Sequence, residues 1–251
     1  MFNLFRKPVR HIAPQASVPP GQRYYAIGDI HGRLDLLNQL LELIDADDAQ
    51  RGHADCQLIF LGDLVDRGPD SAGVVERARV IAEAAPSTRL LMGNHEEVFL
   101  KVLGGDVQAM RFFCRIGGRE TILSYGISES DYLRFDHEEL VAAVQQAVPT
   151  SHRDFLASFS DMFVVGDYAF VHAGIRPGMS LAEQRPGDLR WIREPFLDSV
   201  ETHECVVIHG HTITDTVEFR ANRIGIDTGA HQSGKLTCLG LEGDQRWTIA
   251  T

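Results

Sequence analysis

Before residue 104, a short apolar run, a glycine-bounded polar loop and an amphipathic helix pattern follow one another three times. Tyr24–Ile27 leads into Gly-Asp-Ile-His-Gly at residues 28–32, then into a stretch whose Leu34, Leu37, Leu41 and Ile44 fall at 3, 4, 3 spacing on one helical face. Leu58–Leu61 leads into Gly-Asp-Leu-Val-Asp-Arg-Gly at residues 62–68 and a helix through Val74, Val75, Ala78 and Ile81. Leu90–Met92 leads into Gly-Asn-His-Glu-Glu and a third helix. This rhythm predicts an α/β fold, and in such folds the loops leaving the strands gather at their carboxyl ends. Residues far apart in sequence can therefore share one crevice.

The remainder is organised differently. Residues 104–160 carry helical patterns, including GGRETILSYG and the amphipathic stretch Glu138–Val148, and are expected to form an inserted, mostly helical lobe. Met162–Val165 and Tyr168–His172 predict a hairpin turning at Gly166-Asp167. Cys205–Ile208, Thr216–Phe219, Arg223–Ile226, Leu236–Leu241 and Arg246–Ile249 continue as predicted strands. Residues 1–22, with Arg6, Lys7, Arg10 and four prolines, read as an extended or disordered leader ahead of a single domain over 23–251.

Composition removes several function classes. The net charge of −11 disfavours sequence-independent attraction to nucleic acid or an anionic membrane, so any anionic substrate must be attracted locally. Four scattered cysteines without a CxxC pair argue against a disulfide framework and a thiolate zinc site. No apolar run approaches the roughly 20 residues of a transmembrane helix, and the first ten residues lack a signal-peptide core. A soluble, cytoplasmic protein is the expectation.

Candidate chemistry lies in five segments: GDIHG at 28–32, GDLVDRG at 62–68, GNHE at 93–96, HAG at 172–174 and HGHT at 209–212. Each has an ordinary explanation by itself. Asp29 could cap a helix, Asp66-Arg67 could be a surface ion pair, and His172 could be a satisfied strand-end histidine. Their joint occurrence at strand ends, in this order, favours a shared site.

Together the five segments resemble the phosphoprotein phosphatase branch of the calcineurin-like metallophosphoesterases over roughly residues 24–245. Trp191-Ile192-Arg193-Glu194, HGHT and the IDTGA stretch ending at Ala230 add similarity to the bacterial and phage lambda-type serine/threonine phosphatases. The resemblance implies a four-layer αββα sandwich with two mixed β-sheets. It places Asp29, His31 and Asp63 on one metal ion, and Asp63, Asn94, His172 and His211 on a second, with Asp63 shared. It further assigns Arg67 and Arg193 to phosphate binding, although Arg190 could compete with Arg193. His95 is expected to protonate the leaving group, with Asp66 orienting its ring.

Carboxylate, imidazole and amide oxygen suit Mn, Fe or Zn, and Mn²⁺ is the expected ion in vitro by resemblance. Two such ions about 3.5–4 Å apart can share and activate a water and clamp a phosphoryl group. Arginine's planar fork suits paired phosphoryl oxygens better than lysine does. The resulting expectation is a metal-dependent phosphomonoester hydrolase acting on phosphoprotein or phosphopeptide, favoured by His31, Asp66, Arg67 and Glu96 in their loops. Its rivals are a symmetrical dinucleoside polyphosphate hydrolase and a catalytically silent phosphate-binding scaffold. His209, His231 and Asp227 are expected beside the site rather than in the ligand set.

Overall fold

The computed structural model describes residues 15–251. In chain order its elements are β1 (Gln22–Ile27), α1 (Leu34–Arg51), β2 (Asp55–Phe60), α2 (Ser71–Ala84), β3 (Arg89–Leu90) and α3 (Asn94–Leu103). The lobe follows as α4 (Val107–Ile116), α5 (Gly118–Ser124), α6 (Glu129–Arg134), α7 (His137–Ala147) and α8 (Thr150–Ala157). The rest comprises β4 (Met162–Val165), β5 (Tyr168–Val171), α9 (Pro186–Trp191), β6 (Val206–His209), β7 (Glu218–Phe219), β8 (Arg223–Gly225), α10 (Ala230–Ser233), β9 (Thr237–Glu242) and β10 (Gln245–Ala250).

The strands form two mixed five-stranded sheets, ordered β10-β9-β1-β2-β3 and β4-β5-β6-β8-β7. β1, β2 and β3 run parallel, as do β5, β6 and β8, so each sheet sends several strand ends the same way. Period-two alternation sorts the side chains of β1. Tyr24 and Ala26 enter the core between the sheets with Ile59, Phe170 and Ile208, while Tyr25 and Ile27 face the helices. The helical side is thick, because α1, α2, α3 and the lobe pack one continuous core against the first sheet. The outer face of the second sheet is covered thinly, by Leu189 of α9 with Ile192 and Phe196 over Val171 and Val207. The four-layer αββα expectation therefore holds, with unequal outer layers.

Local signals explain the boundaries. α7 begins at His137 because Asp136 accepts from the backbone N–H groups of Glu138 and Glu139, while Glu139 accepts from Asp136 N–H at 2.9 Å. The strand expected over Thr216–Phe219 shrinks to Glu218–Phe219. Thr214 instead donates its hydroxyl to Thr216 O and its N–H to Asp227 O, turning the chain before the ladder begins. The expected leader falls partly outside the described residues. Residues 15–21 are docked and turn at Pro20-Gly21: Val18 is buried and donates to Gly243 O, and Ser17 N–H donates to Asp167 Oδ2 at 2.9 Å.

Candidate metal centre

Five non-glycine residues occupy positive φ among the described residues: His31 (47°), Asp63 (50°), Asp66 (75°), Arg67 (69°) and His211 (63°). All five belong to the predicted site. Such a conformation costs of order 1–3 kcal/mol per residue and persists only where surroundings enforce it. The enforcement is visible. His31 N–H donates to Asp63 O, and Gly32 N–H to Leu64 O, so the first two loops brace each other. Glu96, fully buried, accepts from the N–H groups of Asp63, Gly93, Leu64 and Val65 at 2.7–3.2 Å.

Asp63 stands at the middle of the cluster. Its Oδ2 lies 3.4 Å from His172 Nε2, 3.6 Å from His31 Nε2 and 3.9 Å from His95 Nε2. Two donor groups share it, His31/Asp63/His95 and Asp63/His172/His211, with atoms inside each group within 4.8 Å of one another. His172 and His31 turn Nε2 inward because their Nδ1 atoms donate to Leu61 O and Val65 O, each at 2.8 Å. Asn94 Oδ1 sits 2.9 Å from His172 Nε2. Asp29 accepts from His211 N–H through Oδ2, while its Oδ1 is buried without a hydrogen-bond partner. A Cβ on Gly210 would stand 2.0 Å from that Oδ1, so only glycine leaves the carboxylate its place.

Burial and mutual charge shift the clustered groups in opposite directions. Burial, with Asp227 nearby, pushes Asp29 well above the usual carboxylate range. Burial would raise Asp63 too, but the imidazoles of His172 and His95 hold it well below that range. Burial opposes charge on His172, yet Asp63 outweighs it and the ring is pushed up to about 10. Burial, aided by His172, takes His211 down to about 3. An orphaned carboxylate oxygen and inward Nε2 atoms around a shared carboxylate fit divalent ions with mixed nitrogen and oxygen ligands.

His95 donates from Nδ1 to Asp66 Oδ2 at 2.6 Å, the dyad expected from sequence. Burial disfavours its charge, but Asp63 and Asp66 together raise its pKa above the ordinary histidine value. Arg67 spans the mouth, its Nη1 2.8 Å from His31 Nε2 and its Nη2 2.9 Å from His95 Nε2. Arg193 lines the adjoining cleft of about 670 Å³ with Arg67, Asn94, His95, Arg176, Trp191 and His211. Arg190 is occupied elsewhere, 2.6 Å from Asp161 and 3.3 Å from Glu97.

The neighbouring residues divide. His231 lies edge-on to His31 at 5.2 Å and keeps a buried Nδ1 without a partner. His209 instead points toward Phe196 and Arg223. Asp227 Oδ1 accepts from Gly229 N–H, a turn-stabilising bond beside Asp29. Sequence reasoning missed Thr121, whose hydroxyl donates to Asp66 Oδ1 at 2.6 Å. Its signal is the small, polar GGRET run that opens α5. The bracing role of Glu96 was equally unread.

This arrangement defines a metallophosphoesterase. The chain belongs to the calcineurin-like phosphoesterase family, whose model matches residues 22–235. Among curated proteins it is similar to the symmetrical bis(5'-nucleosyl)-tetraphosphatase of Methylococcus capsulatus, 33% identical over 171 residues, 67% of this chain and 49% of that one. The protein of the same name from Janthinobacterium sp. is 30% identical over 159 residues, 63% and 46% of the two chains. The chain thus spans about half the length of these relatives. Solved structures share the fold: a candidate diadenosine tetraphosphatase has TM-score 0.62 at 19% identity, covering 94% of this chain and 98% of its own. A cold-active protein tyrosine phosphatase has TM-score 0.54 at 18% identity, covering 93% and 81%. The sequence motifs resemble the lambda-type protein phosphatases, whereas these curated relatives carry the tetraphosphatase name; the family they share is the calcineurin-like phosphoesterase family.

Proposed function

We propose that the chain hydrolyses phosphoric anhydrides of symmetrical dinucleoside polyphosphates in a metal-dependent reaction. The observation that carries this reading is the cleft beside the ligand cluster. It extends past the reach of one phosphoryl group, with Arg67, Arg176 and Arg193 on its cationic side and Trp191, Ile116 and Ile192 offering apolar surface. Arg176 is paired with Asp188, so among the described residues Arg67 and Arg193 are the cleft guanidinium groups without a carboxylate partner. The names of the curated relatives support the same substrate class.

In this reading Asp29, His31 and Asp63 hold one ion, and Asp63, Asn94, His172 and His211 hold the other. Two divalent ions there supply an activated water and neutralise charge on the reacting phosphate. Mn²⁺ is the ion to test first, with Fe and Zn compatible with the donor set. Arg67 and Arg193 orient the phosphate, and Arg67 releases its contacts with His31 and His95 to do so. His95 gives the Nε2 proton to the departing oxygen, while Asp66 keeps Nδ1 protonated and the ring aligned.

A second reading, a phosphomonoesterase acting on phosphopeptides, is favoured by one observation. The Asp66–His95 contact of 2.6 Å serves an alkoxide leaving group, which needs an acid, more than a nucleoside diphosphate, which leaves readily. The two readings separate in one experiment. Metal-stripped protein is reloaded with Mn²⁺ and given a dinucleoside tetraphosphate or phosphoserine, phosphothreonine and phosphotyrosine peptides at equal concentration. The proposal expects the higher kcat/KM on the nucleotide, with nucleoside diphosphate as product. Preferred release of phosphate from peptides would replace it with the second reading.

A further inference from the structure

We propose that the corner of the inserted lobe at Gly117–Thr121 is a positioning element for the Asp66–Arg67 pair, and that Thr121 is its principal residue. The inference rests on the acid role of His95 in the proposed function. Asp66 and Arg67 are consecutive residues in left-handed backbone, across which their own loop makes one bond, Gly68 N–H to Asp66 O at 2.8 Å. The lobe supplies what is missing. Thr121 Oγ1 donates to Asp66 Oδ1 at 2.6 Å and accepts from Asp66 N–H at 2.8 Å, so one hydroxyl fixes both backbone and carboxylate. Ser71 Oγ lies 2.8 Å from the same hydroxyl and also accepts from Asp66 N–H, completing a buried ring of contacts. The next residue is held at the same corner: Arg67 N–H donates to Gly117 O at 2.9 Å. Gly117 has φ +114°, and a Cβ there would stand 2.6 Å from Arg67 Cγ, so the guanidinium stem lies directly against this backbone.

The consequence follows from the division of labour on Asp66. One carboxylate oxygen is taken by Thr121 and the other by His95 Nδ1. Rotation of the carboxylate would break both bonds at once, so the Thr121 hydroxyl sets the plane in which Asp66 meets the imidazole. Ile116, on the residue before this corner, lines the cleft. The lobe therefore touches substrate space and the acid dyad within six residues.

Thr121→Val and Thr121→Ser test this. The first readout needs neither metal nor substrate: the low-field ¹H resonance of the His95 Nδ1–H···Asp66 bond, identified by its loss in Asp66→Asn. Thr121→Val is expected to broaden or shift that resonance and, in the Mn²⁺-loaded enzyme, to lower kcat by ~10-fold, a part of the roughly 10²–10⁴ that an acid contributes. KM should stay within about twofold, because the phosphate ligands are not removed. Thr121→Ser, which keeps the hydroxyl, should restore both readouts. An unchanged resonance in Thr121→Val, or a serine variant as impaired as the valine one, overturns the proposal. Should Thr121→Val lose its fold, Thr121→Ala carries the same two readouts. Because the resonance is read without turnover, failure of the nucleotide reading leaves this test intact.

Discussion

The two sheets position their proposed ligands by different means. The first sheet sends out loops in which His31, Asp63, Asp66 and Arg67 all adopt left-handed backbone, and each loop is braced by another or by Glu96 and Thr121. The second sheet places His172 immediately after β5 and His211 two residues after β6, and of the two only His211 is left-handed. His172 needs a single carbonyl contact to fix its ring, and His211 is held through its backbone by Asp29. Close packing of unlike ligands demands unusual backbone, and unusual backbone demands a buried support. His172, at the end of a regular strand, needs no such support, whereas His211, at φ 63°, takes its own from the buried Asp29 carboxylate.

That contrast can be broken at several strengths. Asp63→Asn weakens the residue common to both groups and should reduce turnover to background in the Mn²⁺-loaded protein, while circular dichroism remains that of the folded chain. His95→Asn should cost about 10²–10⁴-fold in kcat on an alkyl phosphate, if it is turned over, and less on an aryl one whose leaving group needs no proton. Glu96→Gln presents an amide NH₂ to two of the four N–H groups now satisfied, and denaturant melts should show a loss of about 2–4 kcal/mol. His211→Ala removes a ring but keeps the backbone bond to Asp29, and should leave the melt within about 1 kcal/mol while weakening metal binding. Equal destabilisation by the two variants would erase the distinction between the sheets.

The smallest effect lies outside both regions. Glu76 on α2 is held down to about 2, first by the Arg79 hydrogen bonds and then by His152. Its folded pKa lies below the ordinary 4.5, so its stabilisation is present above pH 4.5 and is lost as pH falls from there towards 2. The carboxylate is 47% exposed, which limits the effect to below about 1 kcal/mol. Glu76→Gln should flatten stability against pH in that window without altering metal affinity.

Much of this site was legible because its polar residues interrupt strong periodic signals. Asp29, Asp63 and Asn94 each follow a strand run and precede a helix, and the sheet brings them together as parallel topology requires. His172 and His211 were legible only through the resemblance, since a histidine after a strand carries little information by itself. What could not be read were the supports. Glu96 looks like a helix-opening acid and does cap α3 at Gly93 N–H, but its buried carboxylate also gathers three N–H groups from the loop at Asp63–Val65. Thr121 lies 55 residues from Asp66, a pairing that no local pattern encodes. The docking of residues 15–21 likewise depends on Asp167 and Gly243, far along the chain.

In the proposed function, one cluster of six side chains would bind a pair of ions through a shared Asp63. Titration of metal-stripped protein with Mn²⁺, followed by calorimetry and by the paramagnetic resonance of coupled ions, measures it directly. Two ions per chain with a spin-coupled signal, both lost in Asp63→Asn, is the predicted result. A single ion per chain, or two ions that persist uncoupled in the variant, would contradict it.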